Sequence, residues 1–352
     1  MSLEGVMAVW ERFKSALAPA LTAPVLIVES DDWGPGHKAQ IQALNAICSL
    51  LQGFKDHRGQ PPVMTIGVVL SLPDPEAIAK TGTYHARFLD DPDYRPVLEI
   101  LKAGEKEGVF DLQLHGLAHF WPENFMVAWR QDEKIKRWLS EDGWRTEKLP
   151  AWLQSRWIDA AWLPSRPLPP AAIEAAVDEE VRCFRRCFGR SPKVAVPPTF
   201  VWNEIVERAY AKAGIEVLIT PGKRYGGRDR AGKLLPPEQS YGCGERLPCG
   251  LTALVRDVYF EPALGHKPKA VLEAVERKWR RREPALLEMH RFNFLDGKLQ
   301  ASLDALGTLL DKALARFPKL RFMSSYELAG KMNNLSCSVL ERARVAWRRL
   351  RT

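Results

Sequence analysis

Six cysteines stand in a chain of 352 residues, and no two form a CxxC pair. A zinc-ribbon or dithiol redox centre therefore lacks its usual ligands. Cys183 and Cys187 lie four apart in a helical-looking segment and read as reduced thiols on one face. No apolar run approaches the roughly 18 residues of a membrane helix. No repeat and no low-complexity tract is visible. The opening stretch, MSLEGVMAVWERFKSALAPALTAPVL, carries Glu4, Glu11 and Arg12 and has no basic segment leading into a clean apolar core. It reads as an amphipathic helix over residues 5–18 and not as a secretion signal, so a cytoplasmic location is the expectation.

What is present begins with a formal charge of +8, gathered in KWRRR at 278–282 and in the tail ERARVAWRRLRT at 341–352. Solvated helix faces account for both. The alternative is attraction to an anionic glycan or, through the basic tail at 331–352, peripheral contact with a membrane surface. No nucleic-acid motif accompanies the charge, and a nucleic-acid partner is not expected. The oligomeric state is not legible.

Strand and helix signals alternate. Apolar strands are expected at 24–30, 63–71, 109–116, 192–198, 215–221, 285–290 and 320–325. Helices are expected at 96–108, 170–189, 203–214, 269–283 and 299–318. This order predicts an α/β fold, either a parallel (β/α) barrel or a doubly wound sheet. Residues 1–330 read as one domain, with an insertion over 120–167 that holds seven of the chain's 12 Trp. In both architectures functional side chains gather at the C-terminal ends of strands.

That rule selects a set. VLIVESDDWGPG ends an apolar strand in Asp31 and Asp32, HGLAH places His115 and His119 after another, and LLEMH ends a third in His290. Adjacent buried carboxylates repel and need a positive partner. One Asp oxygen and two imidazoles form a facial set for a divalent metal with open positions. The second carboxylate is then free to act as a general base, and His290 can protonate a leaving group.

SDDWG, HGLAH and LLEMH resemble the first, second and fifth motifs of the polysaccharide deacetylases, the NodB-homology fold of carbohydrate esterase family 4. The resemblance runs from about residue 24 to 330. It implies a distorted (β/α)7-8 barrel and a metal-dependent deacetylase of N-acetylated, or O-acetylated, carbohydrate. It makes Asp31 the catalytic base, Asp32, His115 and His119 the metal ligands, and His290 the acid. One divalent ion is implied: zinc first, with cobalt, nickel or iron as alternatives. The implied partner is a carbohydrate or glycoconjugate, including an anionic one. Pro198, Thr199 and Phe200 stand where the family's third motif lines the substrate, with a backbone N–H near Thr199 facing the oxyanion. Trp33 and Trp121, beside the ligands in sequence, are the candidates to stack on a sugar ring.

Three departures bear on function. Val196 and Thr199 stand where the third motif carries an Arg and an aromatic, with Phe200 able to take the aromatic's place. No fourth-motif Asp is recognisable in LITPGKRYGG, where Lys223 or Arg224 could compensate. Gly116 replaces a hydroxyl residue in the second motif. Two other readings follow: cleavage of a different non-peptide amide on the same barrel, or a non-catalytic carbohydrate-binding barrel.

Overall fold

The structure, a computed structural model, describes residues 21–334. The helix expected over 5–18 lies outside the described residues, as does the tail from residue 335 onward. The main sheet has ten strands. In chain order these are β1 (Val25–Trp33), β2 (Met64–Val68), β3 (Phe110–Leu114), β4 (Val194–Ala195), β5 (Val217–Thr220), β6 (Glu245–Arg246), β7 (Thr252–Val255), β8 (Val258–Tyr259), β9 (Ala285–His290) and β10 (Arg321–Phe322). Their spatial order is β6-β7-β5-β4-β3-β2-β1-β9-β8, with β10 also on β1. Every pairing is parallel except β6 with β7.

The sheet curls into a distorted (β/α) barrel. β7 and β8 stand near opposite ends of the strand order, yet only Arg256 and Asp257 separate them in the chain. Two residues reach only about 7 Å per pair of extended steps, so the edges must meet there. The Arg256 N–H also donates to Thr220 O at 2.9 Å, tying the seam back to β5.

Side chains alternate between the two faces of each strand. Leu26 and Val28 of β1 pack outward with the helices. Val25 and Ile27 point inward and meet Val194, Val196, Val217, Ile219, Leu254 and Leu286 in a second cluster that fills the barrel. The same parity carries Glu29 and Asp31 inward on β1, Glu288 and His290 inward on β9, and Arg256 inward after β7. The barrel is thus apolar below and charged above.

The helices behave as their sequences require. The segment Pro170–Phe188 has proline in its first turn and stops at Gly189, whose φ of 71° suits glycine. Its buried stripe includes Ile173, Val177, Val181 and Phe184, at helical spacing. Cys183 and Cys187 are buried on it as free thiols. The strands differ from expectation in several places. The run at 63–71 breaks after Val68, and Ser71–Pro73 instead pairs with Ala86–Phe88. β7 and β8 were not foreseen at all.

Candidate active site

β1 would normally send Asp31 and Asp32 to opposite faces. Instead its register with β2 shifts between Ser30 and Trp33, and Asp32 takes a φ of 72°. This bulge turns both carboxylates into one cavity. A non-glycine residue in the left-handed region costs on the order of 1–3 kcal/mol and is held there by its surroundings. Thr199 and Phe200, at φ 52° and 55°, share that conformation across the cavity.

His115 follows β3 directly. Its Nδ1 lies 2.9 Å from Val196 O, so Nδ1–H donates and Nε2 keeps its lone pair. Gly116 then turns the chain at φ 90°. A hydroxyl residue would be strained there, and its Cβ would stand 3.1 Å from Ala118 O. The turn brings His119 Nε2 to 3.2 Å from His115 Nε2. Asp32 Oδ1 stands 3.4 Å from His115 Nε2 and 3.2 Å from His119 Nε2.

These separations test the expected metal. Bonds of about 2.0–2.2 Å at tetrahedral or octahedral angles place neighbouring ligand atoms about 3.0–3.5 Å apart. The triad meets that spacing, and Asp32 Oδ1 is buried with no hydrogen-bond partner of its own. The residues fit a divalent ion. A second grouping, Asp90 with Cys183 and Cys187, has its carboxylate taken by Arg186, whose Nε donates to Asp90 at 2.5 Å.

Asp31, the expected base, is supported by a residue the sequence did not reveal. Arg256 is fully buried, and its Nη2 donates to Asp31 Oδ2 at 2.5 Å. It also reaches Glu29 at 3.2 Å and Glu288 at 3.6 Å. Burial pushes the Asp31 pKa up, but the charge and hydrogen bond of Arg256, together with the charges of His115 and His290, outweigh it and leave the pKa below its ordinary value. Glu29 has less help: burial prevails over Arg256 and the Ser325 hydroxyl, and its pKa is pushed up to about 7. Arg256 supplies the charge missing at Val196, from a strand two places further along the sheet. Lys223 and Arg224 do not compensate: Lys223 is exposed, and Arg224 pairs with Glu207 at 3.1 Å.

His290, the expected acid, has a charged partner as well. His290 Nδ1 lies 2.6 Å from Glu261 Oε1. Asn293 Nδ2 donates to the other oxygen of Glu261 and fixes it. Burial lowers the His290 pKa, yet the hydrogen bond to Glu261 and the charges of Asp32, Glu261 and Asp31 push it up to about 9. His290 is therefore an imidazolium at neutral pH.

The cavity measures about 260 Å³. It is lined by Asp31, Asp32, His115, His119, Thr199, Phe200 and His290, all expected, and also by Glu147, Gln154, Val196, Pro197, Arg256, Glu288 and Phe292. Three expected residues are not brought to it. Trp33 is completely buried in the outer core beside Phe294, with Nε1 donating to Ser30 Oγ at 2.9 Å. Trp121 packs on that core, with the Arg156 guanidinium 6.0 Å from its ring. Pro198 is buried, and Pro197 holds the lining position instead.

The sequence model of glycosyl hydrolase family 57 matches residues 115–257. No curated protein matches the chain in sequence. Solved structures with a similar fold include a variant of the peptidoglycan deacetylase PdaC from Bacillus subtilis, 12% identical with a TM-score of 0.44 over 92% of this chain and 98% of that one. A family 4 carbohydrate esterase from Streptomyces lividans is 13% identical, with a TM-score of 0.38 over 87% and 92%. A 4-alpha-glucanotransferase from Thermococcus litoralis is 13% identical, with a TM-score of 0.45 over 87% of this chain but 40% of its own length. The strand order of this chain itself makes the distorted (β/α) barrel expected from the motifs.

Proposed function

We propose that the chain is a metal-dependent deacetylase that removes an acetyl group from an N-acetylated, or O-acetylated, carbohydrate. One observation carries the reading. Asp32, His115 and His119 converge at 3.2–3.4 Å on the wall of a cavity that also holds an arginine-paired Asp31 and a glutamate-paired His290.

A divalent ion held there, zinc by its mixed nitrogen and oxygen donors or otherwise cobalt, nickel or iron, supplies Lewis-acid polarisation of an acyl carbonyl. The chain's own residues do the rest. Asp31, kept ionised by Arg256, takes a proton from the attacking water. His290, kept protonated by Glu261, gives a proton to the departing nitrogen or oxygen. Phe200 and Val201 direct their N–H groups to Pro197 O and Pro198 O. The Thr199 N–H remains as the donor this loop offers a developing oxyanion. One water and one acetamide thereby give acetate and a free amine.

The experiment is to purify the protein, measure bound metal, and assay acetate release from N-acetyl and O-acetyl saccharides beside Asp31→Asn. Acetate from the parent protein and none from the variant supports the reading. A folded protein that binds no divalent ion removes it. Metal with no acetate from any saccharide moves the reading to another non-peptide amide.

A second reading, cleavage of a glycosidic bond, is favoured by the family 57 match across residues 115–257. It requires two carboxyl groups flanking the sugar, and the cavity lining holds Asp31, Asp32, Glu147 and Glu288. New reducing ends without acetate would select it.

A further inference from the structure

The Trp-rich insertion decides which part of a saccharide can enter, and this inference rests on the deacetylase reading. From residue 120 the chain forms two helices, Pro122–Gln131 and Glu133–Asp142, and then a strap that crosses the rim of the barrel. The strap is fastened at both ends. At one end, Arg291, just after β9, donates through Nη2 to Trp144 O at 2.6 Å and stands 5.0 Å from the Trp144 ring. His37, in the loop after β1, stacks on the same indole at 5.9 Å. Arg145 pairs with Asp296 beyond β9. At the other end, the Ser155 hydroxyl meets the Thr199 hydroxyl at 2.9 Å, in the loop after β4. The strap thus runs from the loops after β9 and β1 to the loop after β4.

Two of its side chains, Glu147 and Gln154, form part of the cavity lining. Glu147 is the more telling. Its ion pair with Arg291 is long, 3.9 Å, and among the described residues no side-chain hydrogen bond fixes its carboxylate. Glu147 is three-quarters buried, and a carboxylate with spare acceptor capacity at a cavity wall can accept from a ligand's hydroxyls. The cavity, about 260 Å³, is smaller than the roughly 300–1,000 Å³ of sites for drug-sized ligands and suits one pyranose ring. A groove for internal residues of a polymer must be open on both sides of the reacting ring, and here Glu147 and Gln154 of the fastened strap stand in the lining.

We propose that the site is a blind pocket for a terminal acylated sugar, free or at the end of a glycan, and that Glu147 selects that ring by accepting its hydroxyl hydrogens. An ionised Glu147 disfavours an anionic substituent on the ring. This narrows the substrate to a neutral N-acylhexosamine terminus.

The test combines binding with product mapping. The full chain carrying Asp31→Asn, loaded with zinc, is titrated calorimetrically with N-acetylglucosamine and with its tetramer. The titration is repeated after adding Glu147→Ala or Glu147→Gln. Both probes should bind, and Glu147→Ala should weaken each by about tenfold to a hundredfold, the worth of hydrogen bonds to a charged group. Glu147→Gln, which keeps one acceptor, should weaken them less. Parent enzyme acting on the tetramer should free a single amine, placed at a chain end by mass spectrometry. Deacetylation spread over internal residues, or unchanged affinity in Glu147→Ala, overturns the blind-pocket inference and leaves the deacetylase standing. No binding and no acetate from either probe, with metal bound, removes both.

Discussion

Arg256 Nη2 lies 2.5 Å from Asp31 Oδ2, both groups buried, at the one place where the chain steps from β7 to β8 and closes the barrel. The proposed base and the closure of the barrel therefore share a residue. Removing the guanidinium leaves Asp31, Glu29 and Glu288 facing each other without a cation. Breaking a buried pair from one side costs about 3–5 kcal/mol, so Arg256→Met should lower Tm sharply. Arg256→Lys keeps the charge but loses the fork that reaches several carboxylates at once. In that variant the Asp31 pKa should rise. A base with a raised pKa becomes protonated at higher pH, so the acid limb of kcat/KM should move up. An unmoved limb in folded Arg256→Lys would show that Asp31 is not the base.

The site was legible where strands end. VLIVESDD, DLQLHG and LLEMH each show an apolar run meeting an ionisable residue, and the barrel brings those ends together. Arg256 was missed although TALVRD has the same form. β7 has four residues and β8 two, too short for periodicity to register after the irregular stretch from 221 to 251. Glu261 was missed because it lies in the turn beyond β8, outside any repeating pattern. Trp33 was misplaced for a different reason. Neighbours in sequence are not neighbours in space on a strand, and the bulge that turns Asp32 inward returns Trp33 to the helix-covered face. Glu147 depends on how the insertion folds back over the rim, which no local signal in 120–167 reveals.

Gly67 makes a second test of the base. It lies on β2 with no side chain, and a Cβ built there would overlap Asp31 Oδ1. Gly67→Ala must therefore push the carboxylate off its contact with Arg256 or shift β2 against β1. A displacement of about 1 Å at a reacting group costs on the order of a hundredfold in rate. The metal ligands are untouched, so kcat should fall by about that factor while bound metal stays stoichiometric. Full activity in Gly67→Ala would mean that the position of Asp31 is unimportant.

His290 and Glu261 predict the alkaline side. The folded pKa of His290 is raised from its ordinary 6.5 to about 9. The pairing therefore stabilises the folded state fully below about pH 6.5 and fades as pH climbs through about 9. At most it contributes on the order of 3 kcal/mol. Glu261→Gln removes the anion, so the imidazolium should lose its proton at lower pH. The alkaline limb of kcat/KM should move down, and the stability difference between pH 6 and pH 9.5 should shrink. His290→Ala should cost more, within the roughly 10²–10⁴-fold that a general acid contributes. A limb that stays in place in Glu261→Gln would remove His290 from the role of acid.

The triad makes the strongest demand on the metal. Without an ion, Asp32 Oδ1 is buried with no hydrogen-bond partner, in a backbone conformation that few residues other than glycine adopt. Two imidazole Nε2 atoms stand 3.2 Å apart, where one must donate a proton to the other unless a cation is shared between them. One divalent cation satisfies the carboxylate and both imidazoles, so binding and folding must be linked. Chelation should lower Tm, and restoring zinc should recover it, with a gain of about 4 kcal/mol at a thousandfold excess over Kd. His115→Ala removes one ligand and its tie to Val196 O. It should abolish metal measured by mass spectrometry and erase the dependence of Tm on zinc. His37→Ala, at an exposed histidine outside the triad, should do neither. Stoichiometric metal retained in His115→Ala would place the ion elsewhere and undo the division of labour between Asp31 and Asp32.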